Sequence, residues 1–358
     1  MRRGKSSGAR TCFDRKPARL DKRHEKSYTD AQTEALKKNK RTTGLHGFGQ
    51  VNKEVFRMVE LRNIDTEQRN VRTLNIDQLP TLEMLTLINE EDHRVAEAVK
   101  EVLPQVAKAV DTIYEKMAAG GRLIYVGAGT SGRLGVLDAV ECPPTFGVPY
   151  ELVVGLMAGG PSAFVKAAEG AEDRYDQGRQ DLMDIQFSAA DALVGIAASG
   201  RTPYVLGAMD YAHEVGAPVM ALTCCRNSEM SRHADITMDP VPGPEVLTGS
   251  SRLKSGTAQK LILNMLSTAT MIKLGKAYSN LMVDMKASNE KLYNRAVRIV
   301  STAAEVDAET AEAALKQCDF HCKTAITMLL LGVTAQEARA ALENAHGHIS
   351  QAIAAHQA

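Results

Sequence analysis

From Thr81 to Gly120 apolar residues recur every three or four positions (TLEMLTLINEEDHRVAEAVKEVLPQVAKAVDTIYEKMAAG), which predicts helix, with Gly120-Gly121 as its stop. Pro104 has no backbone N–H to donate and should divide the stretch into two helices. Then the period changes. RLIYVGAG (122–129), ELVVGLMAG (151–159), DALVGIAASG (191–200) and PVMALTC (218–224) are short runs apolar at successive positions, and ADITMDPV (234–241) is a shorter fifth. Helices are expected between them, through LGVLDAV, over 163–173 and over 203–215, followed by a long one over about 255–274. Strands apolar on both faces that alternate with helices specify an α/β fold: a doubly wound, parallel, five-stranded sheet flanked by helices. Beyond about Asn289 the chain is rich in Ala and Glu, and ETAEAALKQC, CKTAITMLLLG, TAQEARAALENAHG and HISQAIAAH predict a compact helical bundle. Such a bundle is small for an independent core and would lean on the main domain or on a second subunit.

Upstream of this pattern stand two segments of different character. Residues 58–80 read as an extended polar lead-in, able to wrap a partner surface or reach toward a site. Residues 1–57 lack sustained apolar periodicity and carry 16 Lys/Arg against 6 Asp/Glu, although the whole chain balances at 43 of each. A segment so poor in apolar surface cannot offset its ordering entropy, so disorder is expected. A start at Met58, with the leader not part of the working protein, is favoured over a nucleic-acid or anionic-surface arm. The expected organisation is therefore leader 1–57, main domain 58–290 and bundle 291–358.

Composition narrows the function. Aromatics are 4% of the 358 residues and Trp is absent, which argues against stacking platforms for single-stranded nucleic acid. No apolar run approaches the roughly 20 residues that span a bilayer, and no apolar core follows MRRGKSSGAR to make a secretory signal. The six cysteines form neither a disulfide framework nor a paired zinc spacing; Cys318, His321 and Cys322 are read as helix residues, not metal ligands. Idle thiols suit a reducing cytoplasm.

Three hydroxyl-rich loops carry candidate chemistry. Gly127-Ala128-Gly129-Thr130-Ser131-Gly132-Arg133 follows a buried strand and opens a helix, where N–H groups and the helix dipole attract an anion. It matches neither the dinucleotide nor the P-loop glycine spacing. Ser199-Gly200-Arg201-Thr202-Pro203 ends the third strand and could cradle a phosphate, or simply cap a helix. The third, Thr248 to Thr257, offers Ser250, Ser251, Arg252 and Lys254 at the head of the long helix. Two such loops at strand C-termini of one sheet favour a ligand, because open α/β sheets bind there. Among carboxylates, Glu141 stands before Pro143-Pro144, which are expected to end its helix, while Glu169 and Glu172 share a helical face, so that spacing does not choose between them.

With these motifs in view, the chain from about Met58 onward resembles the N-acetylmuramic acid 6-phosphate etherase family, built on a sugar-isomerase (SIS) domain. The resemblance rests on RLIYVGAGTSGRLGVLDAVECPPTFGV, VGLMAGG, AAEGAED, GIAASGRTPYV and LTGSSRLKSGTAQKLILNMLSTATMIKLGK. It implies cleavage of the D-lactyl ether of N-acetylmuramic acid 6-phosphate to N-acetylglucosamine 6-phosphate and D-lactate, in cell-wall sugar recycling. It also implies catalytic carboxylates at Glu141 and Glu172; the division of roles expected here, beyond the resemblance, is Glu141 as the acid that expels lactate and Glu172 as the base at C2. The sugar phosphate would be seated by Ser199, Gly200, Arg201 and Thr202, with Gly129, Thr130 and Ser131 nearby and Ser250, Ser251 and Lys254 beyond them. Neither metal nor cofactor is implied; a cytoplasmic homodimer with a shared active site is, as is a ubiquitin-associated-type C-terminal bundle. A sugar-phosphate isomerase or a non-catalytic sugar-phosphate sensor would share the fold, but a sensor could dispense with Glu141, which this chain keeps.

Overall fold

The computed structural model describes residues 65–285 and 289–357, so the leader and the expected start at Met58 lie outside the described residues. Three short 3₁₀ turns (Asp65–Glu67, Val71–Thr73, Ile76–Gln78) lead into helices α1 (Thr81–Glu101) and α2 (Leu103–Ala118). Pro104 falls in the first turn of α2, where an N–H would have no intrahelical partner, so the division expected at this residue is there.

Five parallel strands follow: β1 (Leu123–Gly127), β2 (Val153–Met157), β3 (Ala192–Ile196), β4 (Val219–Leu222) and β5 (Ile236–Met238). Their order across the sheet is β2-β1-β3-β4-β5. The chain therefore winds outward in both directions from β1 and β3, and the crevice at their C-terminal ends is the topological switch point. Between the strands lie α3 (Gly129–Phe146), α4 (Ser162–Val165), α5 (Tyr175–Asp184), α6 (Pro203–Glu214) and α7 (Glu229–Arg232); α8 (Lys254–Lys273) follows the sheet.

Alternation along β1 builds two cores. Leu123 and Tyr125 pack with Ile113, Phe146 and Leu263 under α2, α3 and α8, while Ile124 and Val126 pack with Leu182, Val205 and Met209 under α5 and α6. Each fully buried Leu, Ile or Val in these layers contributes about 1.5–3 kcal/mol. A third core, from Val283 to Ala352, holds the C-terminal helices α9 (Glu290–Ala304), α10 (Ala308–Gln317), α11 (Cys322–Leu331), α12 (Ala335–Asn344) and α13 (Ile349–Gln357). A two-stranded hairpin, β6 (Ala277–Tyr278) with β7 (Leu281–Met282), joins them to α8.

Two expectations need correction. The helix expected over 163–173 is only the single turn α4, and the true helix, α5, begins at Tyr175. The chain leaves the helix after Val165, which is 91% exposed, and turns at Gly170 with φ +69°, burying only Ala171 before Tyr175. Pro143 and Pro144 do not end α3; they lie within its last turn, which closes at Gly147 with φ +66° and an N–H bonded to Pro143 O at 2.9 Å. Gly147 also receives the Asp284 carbonyl, which would stand 2.2 Å from a Cβ there, so only glycine permits that approach.

Candidate active site

The N-termini of α3 and α6 open at the C-terminal ends of β1 and β3, on either side of the switch point. Neither carries a side-chain cap: Ala128 has only a methyl group, and the Thr202 hydroxyl makes no cap bond. The first N–H groups of α3 are thus available to an anion, whereas α6 begins with Pro203, which has no N–H, and the Tyr204 and Val205 N–H groups are bonded to the carbonyls of Glu172 and Thr202 (both 3.0 Å). Gly200 has φ +65° and a Cβ there would meet Ser228 Cβ at 2.4 Å, which is why this turn needs glycine. Ser199, Arg201 and Thr202 are half-buried around it.

Glu172 joins this neighbourhood through its backbone, since its carbonyl accepts the Tyr204 N–H at 3.0 Å in the first turn of α6. A cavity of about 200 Å³ brings together Gly129, Arg133, Glu169 and Glu172 over a floor that includes Met157 and Ala163. Both glutamates are exposed, so the geometry does not choose between them either. Sequence reasoning passed over Arg133, whose Nε and Nη2 donate to the carbonyls of Phe164 (2.8 Å) and Ala163 (2.7 Å) and hold the α4 turn over the cavity.

The third loop reaches the same region from α8. Thr130 Cγ2 lies 3.5 Å from where a Cβ of Gly256 would stand, and buried Ser131 donates to Gln259 Oε1 at 2.8 Å. Ser250 and Ser251 are half-buried in the turn before α8. Lys254 requires a correction. Expected among the phosphate ligands, it is fully buried instead, and its ammonium donates to Glu91 (2.6 Å) and to the Pro242 carbonyl (3.1 Å). Asn70 (2.8 Å) and Arg72 (2.7 Å) also donate to Glu91. Burial pushes the Glu91 carboxyl up, but Lys254, Asn70 and Arg72 outweigh it and hold it below its ordinary value. The N–H groups of Lys254 and Ser255 are likewise taken, by buried Glu245 at 2.9 and 3.0 Å. The head of α8 is pinned, not open.

Glu141 is elsewhere. It lies twelve residues along α3 from Gly129, about 18 Å at 1.5 Å per residue. It is exposed, beside Leu137 (45% exposed) and Val140 (48%). One turn before it, buried Asp138 accepts from Tyr125 (3.0 Å), Asn264 (2.8 Å) and Ser267 (3.1 Å), tying α3 to β1 and α8. Burial raises the Asp138 carboxyl despite these donors, and burial with Asp138 nearby pushes the Cys142 thiol up to about 12, leaving it unreactive. Within one chain the structure gathers Gly129, Thr130, Ser131, Glu172 and the Ser199–Thr202 turn, but not Glu141. Among the described residues no cluster of His, Cys, Asp and Glu could hold a metal ion, and no helix is long and apolar enough to cross a membrane.

Comparison with known proteins agrees with this architecture. Residues 175–269 match the SIS domain, 105–213 the N-terminal SIS domain of glucokinase regulatory protein, and 279–324 that protein's C-terminal lid domain. The chain is 58% identical over 297 residues to an N-acetylmuramic acid 6-phosphate etherase from Photorhabdus laumondii, covering 83% of this chain and 99% of that one. A namesake from Aeromonas hydrophila is 58% identical over 293 residues, covering 82% and 98%. Among solved structures, phosphoheptose isomerase GmhA from Neisseria gonorrhoeae aligns with TM-score 0.43 at 19% identity, over 53% of this chain and 98% of that chain.

Proposed function

The chain belongs to the N-acetylmuramic acid 6-phosphate etherase family, and from that premise we propose that it splits the D-lactyl ether of N-acetylmuramic acid 6-phosphate. The products are N-acetylglucosamine 6-phosphate and D-lactate. The observation that carries this reading is the 58% identity running through 99% of a namesake enzyme, with both glutamates and the strand-end loops inside the shared span.

The chemistry asks for little. Opened to its aldehyde, the sugar has an acidified hydrogen at C2 and lactate as a leaving group at C3. Glu172, on the rim of the cavity, takes the C2 proton; Glu141 protonates the departing ether oxygen; water then adds to the unsaturated aldehyde. The phosphate rests on the uncapped N-terminus of α3, Ser131 serving through its N–H, with Thr130, Ser199 and Thr202 as hydroxyl donors.

Acid and base act on neighbouring carbons, yet about 18 Å of helix separates Glu141 from the cavity mouth. The working unit is therefore a homodimer in which Glu141 of one copy serves the cavity of the other. The exposed Leu137 and Val140 beside Glu141 support this, because two α3 helices packed antiparallel would bury them and carry each glutamate toward its partner's Arg133 end. The enzyme works in the cytoplasm, and its bundle has a hydrophobic core of its own over 283–352. D-lactate release from N-acetylmuramic acid 6-phosphate tests the proposal: no lactate from the folded dimer would overturn it.

A further inference from the structure

The D-lactyl group at C3 carries a carboxylate and a methyl, and an ionised glutamate, which only accepts hydrogen bonds, cannot hold that anion. The cavity beside Glu172 is lined for it. Its volume is about 200 Å³, and Ala128, Met157, Ala158 and Ala163 give it a buried apolar floor. Arg133 is the only cation among its lining residues. Half-buried, the guanidinium is aimed by two bonds, Nε to the Phe164 carbonyl (2.8 Å) and Nη2 to the Ala163 carbonyl (2.7 Å). Of its five N–H donors these spend two and leave three, on Nη1 and Nη2. Carbonyls orient the charge without neutralising it, and among the described residues no carboxylate pairs with it.

We propose that this cavity is the lactyl subsite and that Arg133 selects the substrate by pairing the lactyl carboxylate through its unspent donors. The methyl rests on the alanine floor. A planar guanidinium fork matches a carboxylate in shape and charge, which an ammonium does not. The position along α3 suits the substrate as well. Arg133 stands four residues, about 6 Å, beyond Gly129, so phosphate and lactyl carboxylate lie on successive turns of one helix, with C2 beside Glu172. N-acetylglucosamine 6-phosphate lacks the lactyl group and leaves the arginine free.

The subsite rests on the etherase reading for the identity of the substrate. Its test compares N-acetylmuramic acid 6-phosphate with its lactamide, whose carboxylate is replaced by a neutral amide, by following N-acetylglucosamine 6-phosphate formation. Wild type should favour the acid about 10- to 100-fold in kcat/KM, the scale of hydrogen bonds between charged groups, although lactamide is the better leaving group. Arg133→Met should lose about 10- to 100-fold on the acid and less than about threefold on the amide, because the lost pair exists with only one of them. Calorimetry should find its affinity for N-acetylglucosamine 6-phosphate within about threefold of wild type. Arg133→Lys, which keeps the charge without the fork, should fall between the two on the acid. If thermal melting shows that Arg133→Met does not fold, the wild-type preference and Arg133→Lys decide. Equal losses on acid and amide would make the arginine a support for α4 alone, and a matching loss of product affinity would make it a phosphate ligand; either overturns the subsite. Wild-type protein that cleaves acid and amide equally well overturns the subsite and leaves the etherase reading standing. Wild-type protein that cleaves neither refutes both.

Discussion

Mixing a Glu141→Ala chain with a Glu172→Ala chain should restore activity that neither variant has alone. Each variant should fall by about 10²–10⁴-fold, the range for losing a general acid or base. The Gly129 end of α3 borders the Glu172 cavity, while Glu141 lies about 18 Å further along the same helix. If the two glutamates of one site come from different copies, a mixed dimer holds one intact site and one doubly defective site. Random pairing at equal concentrations makes half the dimers mixed, so the mixture should recover about a quarter of wild-type activity. That is at least about 25-fold above either variant alone if each has lost a hundredfold. The assay is D-lactate release after joint refolding, with two different affinity tags to prove that mixed dimers formed. Mixed dimers no more active than the separate variants would show that both glutamates act from one chain, and the shared site would be refuted.

Dividing the roles calls for isotope exchange: Glu141→Ala should still exchange the C2 hydrogen in deuterated water while releasing almost no lactate, and Glu172→Ala should lose both, whereas the opposite pattern reverses the roles. Lys254→Met removes the one fully buried cation facing Glu91, leaving Asn70 and the part-exposed Arg72, and should cost up to about 3–5 kcal/mol in urea unfolding. Because Glu91 is held below its ordinary value of 4.5, its pairing stabilises fully above that pH and is lost as pH falls through the lower folded value. The variant should therefore unfold at higher pH than wild type on acid titration, and an unchanged acid midpoint would contradict the network. A chain beginning at Met58 should match the full chain in lactate release; a large loss would assign the leader a role.

The sheet was legible because strands buried on both faces need apolar residues at every position, a demand that LIYVG and ALVGI meet without ambiguity. Helix α5 was not, because YDQGRQDLMD buries only Gly178 and Leu182 and leaves almost no apolar period to detect. The strand-end loops could be found from hydroxyls and glycines next to apolar runs. Lys254 misled for the opposite reason. Its sequence neighbours suggest a phosphate site, whereas its partner is fixed by a contact with Glu91, 163 residues away, which no local pattern encodes. Gln259 had no signal at all; only the placement of α8 against α3 gives it Ser131.

The pairing of Glu91 with Lys254 also sets a clock. During synthesis Glu91 leaves the ribosome 163 residues ahead of the lysine that neutralises it. At about 5–20 residues per second the wait is roughly 8–33 s, during which Asn70, Arg72 and the nearby Arg94 are its available partners. Helix α1 cannot reach its final burial in that interval, because the α8 surface it packs against is still untranslated. The first helices must therefore remain soluble while the whole sheet is made, and the alternating charges of INEEDHRVAEAVKE suit a segment that spends its first seconds in water.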